Sequence, residues 1–158
     1  LFDHAAKSEE MANSVSDNNS VYFVPALTGL GAPYWQPEAR GMIYGIGRET
    51  TKEHIARAAL EAQAYQPYDL MQAMQADSGL KTSTIRADGG LMANGWMCQF
   101  LADMLGAQID IPKIHETTAL GTAYLAALSA GIYPSLDDIS QKWSREKNYQ
   151  PSMDEKNR

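Results

Sequence analysis

The chain has 158 residues, 44% hydrophobic and 20% charged, the composition of an ordinary globular chain long enough to bury one core. A formal net charge of −6 argues against a nucleic-acid surface, which needs a basic face. No apolar run reaches the ~18 residues of a membrane span, no charged-then-apolar leader is visible, and the single cysteine, Cys98, excludes a disulfide framework; the expected location is the cytoplasm.

In chain order, residues 1–13 are expected to form one short helix. Because the first residue is Leu1 rather than methionine, the chain is expected to be a piece of something longer. Residues 14–20 (SVSDNNS) are turn-formers and predict a loop. VYFVPAL, residues 21–27, is β-branched and aromatic, and predicts a buried strand ending at Pro25. TGLGAPYWQPEARG, residues 28–41, holds three glycines, two prolines and two aromatics. It predicts a long structured loop, and such loops are often functional. MIYGI, residues 42–46, predicts a second strand.

A long helix follows. Thr50 and Glu53 match a capping box. Ile55, Ala58, Ala59, Ala62, Leu70 and Met74 keep one face apolar to about residue 76, and Gly79 ends the helix. Pro67 falls inside the pattern, where it removes a backbone donor and predicts a kink. TSTIRA (82–87) is a third strand, residues 93–105 an amphipathic helix, and QIDIP (108–112) a fourth strand. TALGTAYLAALSAG (118–131) is a helix in which Ala119, Gly121, Ala123, Ala126 and Ala127 allow close packing. Beyond Pro134 one helix is expected near 136–143, then a charged, solvated tail. Strands alternating with helices predict an α/β fold with parallel pairs.

The stretch IRADGGLMANGWMCQFLADMLG, residues 85–106, places Gly89 and Gly90 between a strand and a helix. Glycine permits positive φ and lacks a Cβ, so a ligand can lie against the backbone. In open α/β sheets ligands collect at the carboxyl ends of strands. The helix beyond offers free N–H groups suited to phosphate. Asn94 is expected in its first turn, where its amide can both donate to and accept from a base edge. Asp-Gly-Gly is equally an ordinary loop and Asn94 an ordinary N-cap, and the stretch matches neither a G-x-G-x-x-G nor a Walker loop.

A wider pattern bears on that choice. VYFVPALTGLGAPYWQPEARGMIYGIGRETTKEHIARAALEAQAY, residues 21–65, resembles the C-terminal half of the glycerol-kinase branch of the FGGY carbohydrate kinase family. The family's second signature is matched by Gly41, Ile43, Gly45 and Ile46. After seven residues it resumes at His54 and Ile55, then Ala58, Ala59, Leu60 and Glu61. GLGAPYW (29–35), IRADGGLMAN and ETTALGTAYLAAL extend the resemblance over residues 20–140.

The resemblance implies a ribonuclease H-like, actin-like ATPase domain, a mixed sheet flanked by helices, here incomplete. Residues 1–20 are then a lead-in helix and loop, 21–140 the C-terminal kinase domain, and 141–158 a polar tail. It implies ATP-dependent phosphorylation of glycerol to sn-glycerol 3-phosphate, with Mg²⁺ brought by the nucleotide. Gly90 and Asn94 are implied to contact the adenosine part of ATP, Gly89 to shape the turn, and Asp88 to orient the loop. No catalytic residue is expected in this chain, since the family's base is an aspartate upstream of it; alone it is expected to be inactive. His4, His54 and His115 show no metal spacing. Tyr34 and Trp35 either line the interdomain cleft or plug the loop onto the core. The alternatives are another sugar or polyol kinase of the family, or a non-catalytic actin-like nucleotide-binding module. The intact enzyme is expected to be a homo-oligomer. With about four strand candidates for a five-stranded sheet, the isolated chain is expected to be marginally stable or to self-associate.

Overall fold

The computed structural model describes residues 4–158, so the first three residues of the expected 1–13 helix lie outside the described residues. Helix α1 spans Lys7–Asn13. Strands β1 (Tyr22–Val24) and β2 (Met42–Tyr44) pair antiparallel, with Phe23 opposite Ile43. Both are shorter than expected and neither is fully buried: β1 ends before Pro25, which cannot donate to a ladder, and β2 is exposed throughout. Gly45, just beyond β2, takes φ +85° and turns the chain away.

Helix α2 spans Lys52–Ser78. Its N-cap is Thr51, not Thr50, and the reciprocal partner is His54, whose Nδ1 accepts from the Thr51 N–H at 3.0 Å. Thr50 is drawn off to the preceding turn, where its hydroxyl accepts from the Gly47 N–H at 2.9 Å. Gly79 ends the helix in the left-handed conformation, as its position predicts. The helical assignment runs without interruption through Pro67. Every buried residue of α2 lies between Ala56 and Ala64, so core packing holds the half before the proline and not the half after it.

The second sheet has the order β3–β4–β5. Strand β3 (Thr84–Arg86) and strand β4 (Gln108–Pro112) are parallel, with Ile85 opposite Ile109, joined through helix α3 (Gly95–Leu105). Parallel strands need such a crossover. Strand β5 (Arg145–Tyr149) pairs antiparallel with β4, Tyr149 opposite Ile109. The sheet is therefore mixed and the fold class α/β. Residues 145–149, read from sequence as part of a solvated tail, form an edge strand. Its side chains are mostly exposed, which is why REKNY carries no apolar alternation.

The core lies between α2, α3 and β4. Ile109 and Ile111 point into it from β4, against Met97, Cys98 and Leu101 of α3 and Leu60 and Ala64 of α2. The opposite face of β4 carries Asp110, also buried. Burial pushes its carboxyl up, but bonds from Gln108 (2.9 Å), Asn148 (2.6 Å) and Arg145 (3.3 Å) outweigh this and hold it below its ordinary value. A carboxyl lowered on folding stabilises the protein above its unfolded pKa, and that contribution is lost as pH falls through the folded one.

Cys98 is fully buried, as its place in the apolar pattern predicts, and lies 3.3 Å from the Met92 carbonyl oxygen. Burial pushes its thiol up to about 11, so little thiolate exists near neutrality. Iodoacetamide at mildly alkaline pH is expected to leave Cys98 unmodified in the folded protein and to label it only in urea. Mass spectrometry of the Cys98 peptide checks this; rapid labelling without denaturant would mean that α3 is not packed as described.

Helix α4 (Thr117–Ser129) departs most from expectation. Its small residues predict close packing, yet among the described residues it buries no side chain, and Leu125 is 62% exposed. Helix α5 (Leu136–Ser140) follows, capped by Ser135, which accepts from the Asp138 N–H at 3.2 Å. No described helix is long and apolar enough to cross a membrane.

Candidate nucleotide-binding site

The carboxyl ends of β3 and β4 open into one cavity. Beyond β3 the Ala87 N–H donates to the Asp110 carbonyl at 3.0 Å, prolonging the ladder by one bond. The chain then turns at Asp88 and Gly89. Gly89 takes φ +100° and ψ 170°, a region open in practice to glycine alone. A short 3₁₀ turn, Gly90–Ala93, follows, started by the Met92 N–H donating to the Gly89 carbonyl at 3.0 Å.

The two glycines therefore do different work. Gly89 is required by backbone conformation. Gly90 is not at positive φ, and a Cβ built on it meets no atom of this chain within 4 Å. Nothing in the described residues demands a glycine there. Its missing side chain keeps a stretch of bare backbone facing the cavity.

That cavity has a volume of about 520 Å³, within the range of small-molecule sites. Asp88, Gly89, Gly90 and Ala93 form one side. His115, Thr117 and Thr118, where the chain enters α4, form another, and Glu146 and Lys147 of β5 a third. The Thr117 hydroxyl donates to the Asp88 carboxylate, tying the start of α4 to the glycine turn. That contact supports the loop-orienting part the resemblance implies for Asp88. His115 Nε2 lies 3.0 Å from Glu146 Oε2, a partly exposed pair at the rim. The groups with hydrogen-bonding capacity come from both flanking elements, and Thr117 and Thr118 bring the first turn of α4 to the cavity.

Asn94 is placed differently from expectation. It is the N-cap of α3 rather than a first-turn residue, and it does not line the cavity. Its Oδ1 accepts from the Met97 N–H at 2.9 Å and its Nδ2 donates to Ser8 Oγ at 3.2 Å. Gly89, Gly90 and the cavity are thus together, with Asn94 one residue behind Ala93 and turned toward α1.

His115, Thr117, Glu146 and Lys147 have no signal in the sequence that points to this cavity. Glu146 and Lys147 lie in the strand that reads as a tail. Thr118 opens the small-residue helix pattern, which reads as close packing, and Thr117 stands just before it. The loop of residues 28–41 lies elsewhere: the Tyr34 hydroxyl donates to Asp69 of α2 at 2.7 Å, while Trp35 is 73% exposed. The tyrosine fastens the loop and the tryptophan faces outward. His54 caps α2 and His115 pairs with Glu146.

Comparison with known proteins identifies the fold. The FGGY family of carbohydrate kinases, C-terminal domain, matches residues 2–130. The glycerol kinase of Nitrosomonas eutropha is 54% identical over all 158 residues, which cover 32% of that protein. The glycerol kinase of Rhodospirillum rubrum is 53% identical over 149 residues, 94% of this chain and 30% of that protein. The chain thus spans about a third of the length of the curated relatives it matches. Among solved structures, Plasmodium falciparum glycerol kinase with ADP superposes with a TM-score of 0.85 at 34% identity, over 98% of this chain and 31% of that one. A ligand-bound xylulose kinase from Lactobacillus acidophilus gives 0.79 at 27% identity over 92% of this chain and 30% of that one. A family model matched over most of the residues, and a shared three-dimensional arrangement, carry one conclusion: the chain belongs to the FGGY family of carbohydrate kinases, through its C-terminal domain.

Proposed function

We propose that this chain forms one wall of the nucleotide site of an ATP-dependent glycerol kinase, which converts ATP and glycerol to ADP and sn-glycerol 3-phosphate. The observation that carries this reading is Gly90: a glycine that neither backbone strain nor packing requires, on the cavity at the carboxyl ends of two parallel strands. Its bare backbone admits the flat face of a nucleotide, Gly89 holds the turn, and Asp88 with Thr117 fixes the turn to α4. Mg²⁺ is proposed to ride on the phosphates and neutralise their charge, since phosphoryl transfer depends on positioning and charge neutralisation more than on covalent help. No described cluster of His, Cys, Asp or Glu in this chain has the geometry to hold it.

Glycerol is favoured over another sugar by the GLGAPYW loop and by curated relatives that are glycerol kinases at about half identity. The test is glycerol-dependent ADP release by the full-length protein, with xylulose and gluconate as controls. Turnover of either control in preference to glycerol would move the reading to another member of the family.

Asn94 keeps a proposed part in nucleotide binding, from behind the cavity wall. Asn94→Ala is expected to weaken ATP by ~1–2 kcal/mol, the scale of a lost hydrogen bond. Because the residue is also the α3 cap, a further ~1 kcal/mol of stability goes with it. ATP titrations and thermal unfolding of the same variant separate the two effects; a loss of stability with unchanged ATP affinity would leave Asn94 a cap only.

A further inference from the structure

We propose that Glu116 and Lys147 grip the ribose of the bound nucleotide and make the site selective for ribonucleotides over deoxyribonucleotides. The inference rests on the nucleotide reading above and goes one step beyond it.

Most charged side chains at the cavity are already committed. Asp88 receives the Thr117 hydroxyl, and Glu146 pairs with His115 at 3.0 Å. Two on the cavity wall are not. Glu116 is the N-cap of α4, where a side-chain oxygen ordinarily accepts from the first turn, yet it makes no cap hydrogen bond. Lys147 has no hydrogen bond or ion pair among the described residues. The two line one cavity without pairing with each other, so the space between them is open to a ligand.

An irregularity in β5 brings Lys147 there. Lys147 stands opposite Ile111 and Arg145 opposite Pro112, so Glu146 is an extra residue in the ladder. Such a bulge re-aims side chains, and it lets Glu146 and Lys147, adjacent in sequence, both line the cavity. Lys147 leans toward α3, since its charge pulls the Cys98 thiol down against the rise that burial causes. Met92, which touches Cys98, lines the same cavity directly after the glycine turn.

Charge decides which part of a nucleotide enters. Asp88, Glu116 and Glu146 place three carboxylates on the wall, against the single lysine. A triphosphate would meet a negative surface, so the phosphates point outward and the uncharged adenosine occupies the cavity. The base lies on the bare backbone of Gly90. The ribose then offers a 2′,3′-diol, two adjacent hydroxyls that each donate and accept. An ionised carboxylate can only accept, and an ammonium can only donate. One of each across a cavity matches a diol: one hydroxyl donates to Glu116, and the oxygen of the other accepts from Lys147. Carboxylates that bond a ribose hydroxyl recur in the nucleotide sites of α/β folds. A deoxyribose leaves one of the two charges without its partner.

The test is steady-state kinetics of the full-length kinase with ATP, 2′-deoxy-ATP and 3′-deoxy-ATP, for the parent, Glu116→Ala, Lys147→Met and Lys147→Arg. In the parent each missing hydroxyl should raise KM for the nucleotide ~3–10-fold, the range of one hydrogen bond. Glu116→Ala should raise KM for ATP by a similar factor and abolish discrimination against one deoxynucleotide. Lys147→Met should do the same for the other, and Lys147→Arg, which keeps a donor, should restore most of the loss. In all of them kcat should stay within about twofold of the parent, and KM for glycerol should not move. Lys81→Met removes the same charge outside this cavity and should leave the nucleotide kinetics unchanged. Glu116→Gln serves if the alanine variant does not accumulate. Equal KM values for ATP and both deoxynucleotides in the parent would overturn the inference. So would a rise in KM that is the same for all three nucleotides in the variants, because charge without the hydroxyls would account for it. If either result comes with a raised KM for ATP in Gly90→Val, the nucleotide reading stands and only the ribose grip falls. If Gly90→Val also leaves ATP kinetics unchanged, both fall.

Discussion

No glycerol-dependent ADP release is expected from the 158-residue chain on its own. Transfer to a polyol hydroxyl needs a positioned base, bound glycerol and a cleft that closes over both. A base alone contributes roughly 10²–10⁴-fold, and fixed orientation of two substrates adds more. Two of the three carboxylates lining the cavity are engaged otherwise: Asp88 receives the Thr117 hydroxyl, and Glu146 is paired with His115. The full-length protein should turn over glycerol while the chain alone stays at background in a coupled ADP assay. Glycerol-dependent release from the pure chain would mean that a base is present here and that the assignment of roles is mistaken.

The largest effect on stability is expected at Gly45. It takes φ +85°, and a Cβ there would lie 2.0 Å from the Ser20 carbonyl oxygen. That oxygen is backbone, at the entry to β1, and Ser20 is itself at φ 58°. It cannot swing aside as a side-chain tip can. Positive φ costs a non-glycine residue ~1–2 kcal/mol, and the overlap must be relieved by separating the β1 and β2 ends. Gly45→Ala is expected to cost ~3–5 kcal/mol, at the upper end for single substitutions, and to lower the melting temperature by roughly 10 °C or more. Gly47→Ala is the control: two residues away, without positive φ and with no atom within 4 Å, it should stay within ~0.5 kcal/mol of the parent. Equal melting temperatures for the two variants would show that the turn after β2 relaxes freely.

The legible parts of the fold are those where one residue type has one physical use. Gly79 ends α2 because no other residue enters the left-handed region so readily. The apolar spacing of Met97, Leu101 and Met104 puts α3 on the core. Strand β4 reads correctly because Ile109 and Ile111 alternate with Asp110. The α2 start was ambiguous because two threonines adjoin, and histidine at position 54 can accept as glutamate at 53 can. Strand β5 was illegible because an edge strand facing water needs no apolar face. Helix α4 reads as a packed helix from composition, and composition does not say what it packs against.

At the site, the glycine pair is legible, and the resemblance implies its division of labour; the physical reason for it, a positive φ at Gly89 and none at Gly90, is legible only in the dihedral angles. Asn94 was visible as a cap or a ligand contact, and it is a cap in contact with Ser8. That contact joins residues 86 apart in sequence, beyond the reach of any local pattern. The cavity's other wall, from His115 to Lys147, depends on β5 lying beside β4.

The measurement that bears most directly on the central claim is the ATP dependence of Gly90→Val in the full-length protein. A Cβ at this position meets nothing within 4 Å, so the fold should persist and melting should stay within a few degrees of the parent. If a nucleotide lies against this backbone, the valine occupies its place. KM for ATP should then rise ~10-fold or more, equivalent to about 1.4 kcal/mol, while KM for glycerol is unchanged. An unaltered ATP dependence in a folded Gly90→Val protein would contradict the account and leave the Gly89–Gly90 stretch a turn and nothing else.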